Sequence, residues 1–189
     1  VVILSGALNQ DGKSANLTSP SADAQSKVLT KAWSRSGIAP ERIVCIEAHG
    51  TGTKVGDIIE LEGISKAFSQ YTQRKQFCGL STSKSYFGHT YDLAGLLGVV
   101  KMVLQLKYKE LYGIPNLSIP NTKFEFQKSP IWLVERYQKW ESEDLRIGGV
   151  SAFGFSGTNC HIVLSEAEEY DEISTENEKN MLVVTAKSK

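Results

Sequence analysis

The sequence contains no run of about 18 apolar residues able to span a bilayer, and its start lacks the basic stretch and cleavable apolar segment of a secretory leader. Neither a membrane span nor a signal peptide is expected, and a cytoplasmic setting is the simplest one. Cysteine is scarce. Cys45, Cys78 and Cys160 are odd in number and without CxxC spacing, which speaks against a disulfide framework or a zinc site; all three fall in strand-like runs, where buried thiols belong. Neither sign of charge is in excess, since 21 basic residues face 21 acidic ones, so there is no bulk pull toward nucleic acid or an anionic membrane. Neither GxxxxGK(S/T) nor GxGxxG occurs, which argues against a nucleotide-cradling loop. An initiating methionine is missing, and a start inside Val1-Val2-Ile3-Leu4 leads us to expect that the sequence begins within a domain.

What is present fits one globular unit with a real core, at 189 residues of which 41% are hydrophobic. The stretch Ile46-Glu-Ala-His-Gly-Thr-Gly-Thr-Lys-Val-Gly-Asp57 runs a β-branched, apolar strand into a glycine-rich turn that carries His49, Thr51 and Thr53. Asp57 reads as an N-cap with Glu60 as its capping-box partner, and Ile58, Ile59, Leu61, Ile64, Ala67 and Phe68 give the following helix an apolar side. A second strand-like run, Phe77-Cys-Gly-Leu80, leads to Lys84 and His89 and then to a helix through Leu93, Leu96, Leu97, Val100, Val103 and Leu104. Thr90 is its candidate cap. Ala94, Gly95 and Gly98 allow close approach by another element, so this helix is expected to be central and buried. His89 just before it meets the positive end of the helix dipole, which favours the neutral ring.

Elsewhere, a strand over residues 1–7 and a turn at Asn9-Gln-Asp-Gly12 precede a helix with Ser19 as N-cap and Pro20 at its first position. That helix has Ala24, Val28, Leu29, Ala32 and Trp33 on one side and stops at Gly37, with Trp33 read as core. Ile131-Trp-Leu-Val134 reads as a short strand. Residues 146–153 and 160–164 are strands around the glycine-rich connection 154–159, and His161 inside the second is read as structural. From Ser165 the sequence turns acidic, a linker over 165–180, before the strand-like Met181-Leu-Val-Val-Thr-Ala186.

Three motifs in this order resemble the C-terminal half of a β-ketoacyl synthase, the ketosynthase domain of modular polyketide synthases and animal-type fatty acid synthases. They are Glu47-Ala-His-Gly-Thr-Gly-Thr53 with Gly56-Asp57, Lys84-Ser85 with Gly88-His89 and Ala94-Gly95, and Ser151-Ala-Phe-Gly-Phe-Ser-Gly-Thr-Asn-Cys-His-Ile-Val-Leu164. The resemblance implies an α/β, thiolase-like αβαβα layered fold of which only the C-terminal half, residues 1–164, is present, with 181–189 starting the post-ketosynthase linker. It implies decarboxylative Claisen condensation of acyl and malonyl thioesters. His49, His89 and Lys84 are then catalytic, while Thr51 and Thr53 hydrogen-bond the phosphopantetheine arm of an acyl carrier protein. Phe155 matches the gate, with its backbone N–H in an oxyanion hole; core packing is the alternative for its ring. No cofactor or metal is expected to bind directly. The implied partners are an N-terminal half carrying the cysteine nucleophile, the acyl carrier protein, and a second copy of the complete domain.

Several residues depart from the family pattern. Ile58 stands for the usual proline, Tyr86-Phe87 for Asn-Ile, Ser156 for glycine, and Tyr91, followed by Asp92, for the usual acidic residue. They leave two classes open: a condensing enzyme completed by the missing half, inactive as an isolated fragment, or a non-catalytic docking half-domain or non-condensing acyl-transfer variant.

Overall fold

The computed structural model describes residues 1–12 and 20–167. Ser19, and the acidic linker and strand-like segment beyond residue 167, lie outside the described residues. Among the described residues, eight strands and four α-helices follow in chain order: β1 (Val2–Gln10), α1 (Ala22–Ser36), β2 (Cys45–Glu47), α2 (Gly56–Phe68), β3 (Cys78–Ser81), α3 (Lys84–Phe87), α4 (Ala94–Tyr108), β4 (Glu110–Leu111), β5 (Ile131–Leu133), β6 (Gln138–Lys139), β7 (Ile147–Phe153) and β8 (Thr158–Ser165).

Six strands form one sheet in the order β1-β8-β7-β2-β3-β5, in which β7, β2, β3 and β5 pair in parallel and β8 alone is reversed, pairing antiparallel with β7 on one side and with β1 on the other. Alternation along the strands splits the core in two. Ile46, Ile147 and Val163 face the layer of α1 and α2, where they join Val28, Leu29, Trp33, Ile64 and Phe68. Their neighbours Cys45, Val150 and Leu164 face α4, with Met102 and Leu106. The result is a helix–sheet–helix sandwich, three of the five layers expected for a complete thiolase-like enzyme. Among the described residues no helix is long and apolar enough to cross a membrane.

Three helix starts differ from expectation. The cap of α1 is Ser21, whose hydroxyl accepts from the Ala24 N–H at 3.2 Å, so Pro20 precedes the cap. Helix α2 starts at Gly56 with no side-chain cap, because Asp57 and Glu60 turn back to bond the preceding loop. Thr90 starts only a short 3-10 turn over residues 91–93, and its hydroxyl caps nothing. Helix α4 is buried on one side alone: Ala94, Gly98, Lys101, Met102, Gln105 and Leu106 face the sheet, whereas Leu96, Val100, Leu104 and Tyr108 form an exposed apolar row.

Candidate active site

The parallel strands β2 and β3 end side by side, and their loops create a crevice at the carboxyl end of the sheet, where α/β proteins place ligands. The first loop leaves β2 at Glu47 and turns at Gly50. Glycine is required there twice over: φ is +45°, and a Cβ would meet the Thr82 side chain of the second loop at 2.8 Å. The two loops are thus in direct contact, and Thr82 Oγ1 donates to the Gly50 carbonyl at 3.4 Å.

Acidic side chains of α2 hold the first loop. The buried Glu60 carboxylate accepts from the His49 N–H at 2.7 Å and from the Gly50 N–H at 2.8 Å, while Asp57 accepts from the Gly52 N–H at 3.0 Å. Burial pushes the Glu60 carboxyl up to about 7 despite those two bonds, and raises Asp57 as well. Thr51 and Thr53 lie with their hydroxyls 3.3 Å apart, and Thr53 Oγ1 also accepts from the Gly56 N–H.

The second loop presents His89. Its Nδ1 accepts from the Tyr91 N–H at 3.1 Å, so a neutral ring carries its proton on Nε2. The Tyr91 ring stacks on it at 5.2 Å, and Tyr91 holds a left-handed backbone with φ of +51°. The rings of His49 and His89 meet edge to face with centroids 5.6 Å apart, and Phe153 at the end of β7 flanks His49 at the same separation. Burial, then the Lys84 ammonium, lower the His49 imidazole to about 4, and protonation of the adjacent His89 works in the same direction. At neutral pH His49 is uncharged. Its Nδ1 is buried without a hydrogen-bond partner among the described residues.

His49, His89, Thr51, Thr53 and Phe155 line one cleft of about 880 Å³, with Phe155 84% exposed at its lip. Lys84 lines a neighbouring cavity of about 320 Å³, and Thr51 and Glu60 belong to the wall between the two. Burial lowers the Lys84 ammonium, against the pull of Glu60 and Glu47. His161 is remote in function from this cleft: fully buried, it accepts at Nε2 from the Trp33 indole at 3.1 Å and faces Ser151 Oγ from Nδ1 at 3.0 Å. Both ring nitrogens are satisfied, in keeping with the structural role read from its place in a strand.

Reading the sequence missed the loop-holding role of Glu60 and passed over Glu47 and Lys101. Their signal was a charge inside an otherwise apolar strand and another inside an apolar helix, since burial of either demands a partner.

Residues 1–118 match the family model for the β-ketoacyl synthase C-terminal domain, and residues 120–189 that for the ketoacyl-synthetase C-terminal extension. The chain belongs to the β-ketoacyl synthase C-terminal domain family. Among curated relatives of this synthase domain, polyketide synthase PksL of Bacillus subtilis strain 168 is 40% identical over 191 residues, covering 98% of this chain and 4% of that protein. Erythronolide synthase EryA3 of Saccharopolyspora erythraea is 36% identical, covering 90% of this chain and 5% of that protein. Among solved structures, the ketosynthase from module 6 of the bacillaene synthase of Bacillus subtilis 168 superposes with a TM-score of 0.85 at 43% identity, over 88% of this chain and 30% of that one. Ketosynthase twelve of the bacillaene polyketide synthase of Bacillus amyloliquefaciens gives 0.85 at 34%, over 88% and 30%. The β-ketoacyl synthase fold here is therefore thiolase-like α/β, and the chain spans under a third of the ketosynthases it superposes on.

Proposed function

We propose that this chain supplies the two imidazoles and the lysine of a polyketide ketosynthase that performs decarboxylative Claisen condensation, its nucleophilic cysteine coming from an N-terminal half. The observation that carries this reading is the pair of histidine rings, 5.6 Å apart and facing one cleft from separate loops. In the reaction, a malonyl thioester loses carbon dioxide; the carboxylate electron pair passes to the thioester as an enolate, whose carbon then attacks the acyl group on the cysteine and expels the thiolate. Charge builds on the thioester oxygen in the first step. Two neutral imidazoles, each presenting Nε2–H, stabilise that oxygen, and losing one such preorganised donor costs about 100–1,000-fold in rate. The depressed His49 and the Nε2–H tautomer of His89 suit that role. Lys84 acts through its charge on His49.

The paired hydroxyls of Thr51 and Thr53 bond the amides of phosphopantetheine on an acyl carrier protein, and Phe155 at the lip acts as the gate, its N–H completing the oxyanion hole. Residues 1–164 are the half-domain, 165–180 the acidic linker and 181–189 the next segment's start. The N-terminal half covers the exposed row Leu96, Val100, Leu104 and Tyr108 on α4, and the completed domain is a cytoplasmic homodimer. Alone, the chain does not condense. Cys45 and Cys78 are buried, and burial drives the Cys45 thiol up to about 12 and raises those of Cys78 and Cys160, so no thiolate nucleophile is at hand. Mixing this chain with a matching N-terminal half and following carbon dioxide release and acyl extension tests the reading. His49→Ala and His89→Ala are each expected to lose at least 100-fold in decarboxylation; wild-type rates in both would end the assignment.

A further inference from the structure

A buried ion pair lies directly behind the two histidine loops. The Glu47 side chain, 1% exposed, stands at the last position of β2, two residues before His49, and Lys101 Nζ of α4 donates to its Oε2 at 2.8 Å. The same oxygen accepts from Ser81 Oγ at the end of β3 at 3.2 Å, and Lys101 donates to that hydroxyl at 2.7 Å. The other carboxylate oxygen accepts from the Ser83 N–H, the residue before Lys84. The site for this carboxylate is built in: a Cβ at Gly98, one turn before Lys101, would meet Glu47 Cγ at 3.1 Å. Three bonded groups from β3, its loop and α4 therefore converge on one side chain of β2.

We propose that Glu47 and Lys101 are positioning residues, whose ion pair sets the spacing between the loop that carries His49 and the loop that carries Lys84 and His89. Stability does not account for the pair, because desolvating two charges cancels most of their attraction and apolar residues of similar volume serve a core as well or better. Apolar packing is non-directional. It would hold α4 against the sheet without fixing how the end of β2 lies against the end of β3, whereas a carboxylate bonded on both oxygens by donors from β3, its loop and α4 permits one arrangement. A displacement of about 1 Å between groups that meet one substrate oxygen costs about 100-fold in rate.

The inference rests on the condensing role of the histidines, so its test carries one readout that does not. Glu47→Gln/Lys101→Met removes both charges together, and Ser81→Ala removes the bridging hydroxyl without orphaning a charge, so that a folded variant remains if the double change fails to fold. Ring-to-ring proton NOEs between His49 and His89 in the chain read the spacing directly; kcat for decarboxylation with the N-terminal half, corrected for folded fraction, reads the consequence. The expected result is weakened NOEs with a loss in kcat of about 10–100-fold for the double variant and about 3–10-fold for Ser81→Ala, at unchanged KM. Unchanged NOEs in folded variants overturn the proposal. Weakened NOEs at wild-type kcat uphold the positioning and overturn the role of the histidines.

Discussion

The loops after β2 and β3 each bring one histidine to the same cleft, but they are held by different means. The first is braced by carboxylates of the helix that follows it, Glu60 on the N–H groups of His49 and Gly50, and Asp57 on that of Gly52. The second is tied to a carboxylate only at its start, where Glu47 accepts from the Ser83 N–H; around His89 itself it is held through backbone and aromatic contacts: the Tyr91 N–H on His89, the Tyr91 ring stacked beside it, and Tyr86, whose hydroxyl donates to the Gly113 carbonyl at 2.5 Å. Two bonds accepted by one buried side chain at His49 and its neighbour clamp that histidine more stiffly than the single neutral contacts around His89, the more so when Glu60 is ionised. His49 is accordingly the more fixed and more buried partner, while His89 sits on an exposed loop that can adjust to what enters the cleft.

The contrast breaks most sharply at Glu60. Glu60→Ala leaves two N–H groups of a partly buried loop without an acceptor, and a net loss of about 2–3 kcal/mol follows, tempered because the carboxylate itself is costly to bury. Urea unfolding of the chain at fixed concentration checks this, and Glu60→Gln, which keeps an amide oxygen as acceptor, is expected to recover about half. If Glu60→Ala unfolds at the wild-type midpoint, the loop is held by something other than its carboxylate clamp.

A smaller effect separates the loops electrostatically. Burial is the main cause of the depressed His49 imidazole and Lys84 the next, so Lys84→Met is expected to raise its titration midpoint above about 4 while leaving it under the 6.5 of a free ring. Because the folded value lies below the unfolded one, the stability that His49 contributes is fully present above pH 6.5 and is lost as pH falls through about 4. Lys84→Met therefore narrows that window from its acid side. Histidine NMR titration reads the midpoint directly, and one that does not move would remove Lys84 as a perturber of the site.

How much of this was legible in the sequence depends on how local each signal is. Strands β2, β3, β7 and β8 and the connection between the last two followed from apolar runs bounded by glycine, and the two histidine loops followed from their motifs. Glu60 was visible but misread. A carboxylate three residues after Asp57 has the spacing of a capping box, and the same carboxylate can satisfy N–H groups of its own helix or of the loop before it; spacing alone does not say which. The link between Glu47 and Lys101 spans 54 positions, beyond any local pattern. The short pairing of β4 with β6 rests on two residues from each strand, too few for alternation to register. The one-sided burial of α4 was hidden for another reason: its sequence is apolar on both sides, and only the fold shows which side the sheet covers.

The departure at Tyr86 gives the finest test of the second loop. Its hydroxyl ties α3 to the Gly113 carbonyl, and its ring lies 5.7 Å from the Lys101 ammonium that pairs with Glu47. The two contacts are separable. Tyr86→Phe removes only the neutral hydrogen bond, an expected loss of about 1 kcal/mol, or about 2–4 °C in Tm. Tyr86→Asn, which restores the residue usual in the resembling synthases, removes the ring as well, and the cation–π contact it gives up is worth a further 0.5–1 kcal/mol or so. A thermal melt of both variants orders them, and equal Tm values would mean that the ring contributes nothing beyond its hydroxyl. Glu60→Ala acts on the loop that holds the buried histidine, so its cost should exceed both. Were Tyr86→Phe instead the more damaging change, the second loop would be the stiffer of the two, and the division of labour between a fixed His49 and an adjustable His89 would have to be reversed.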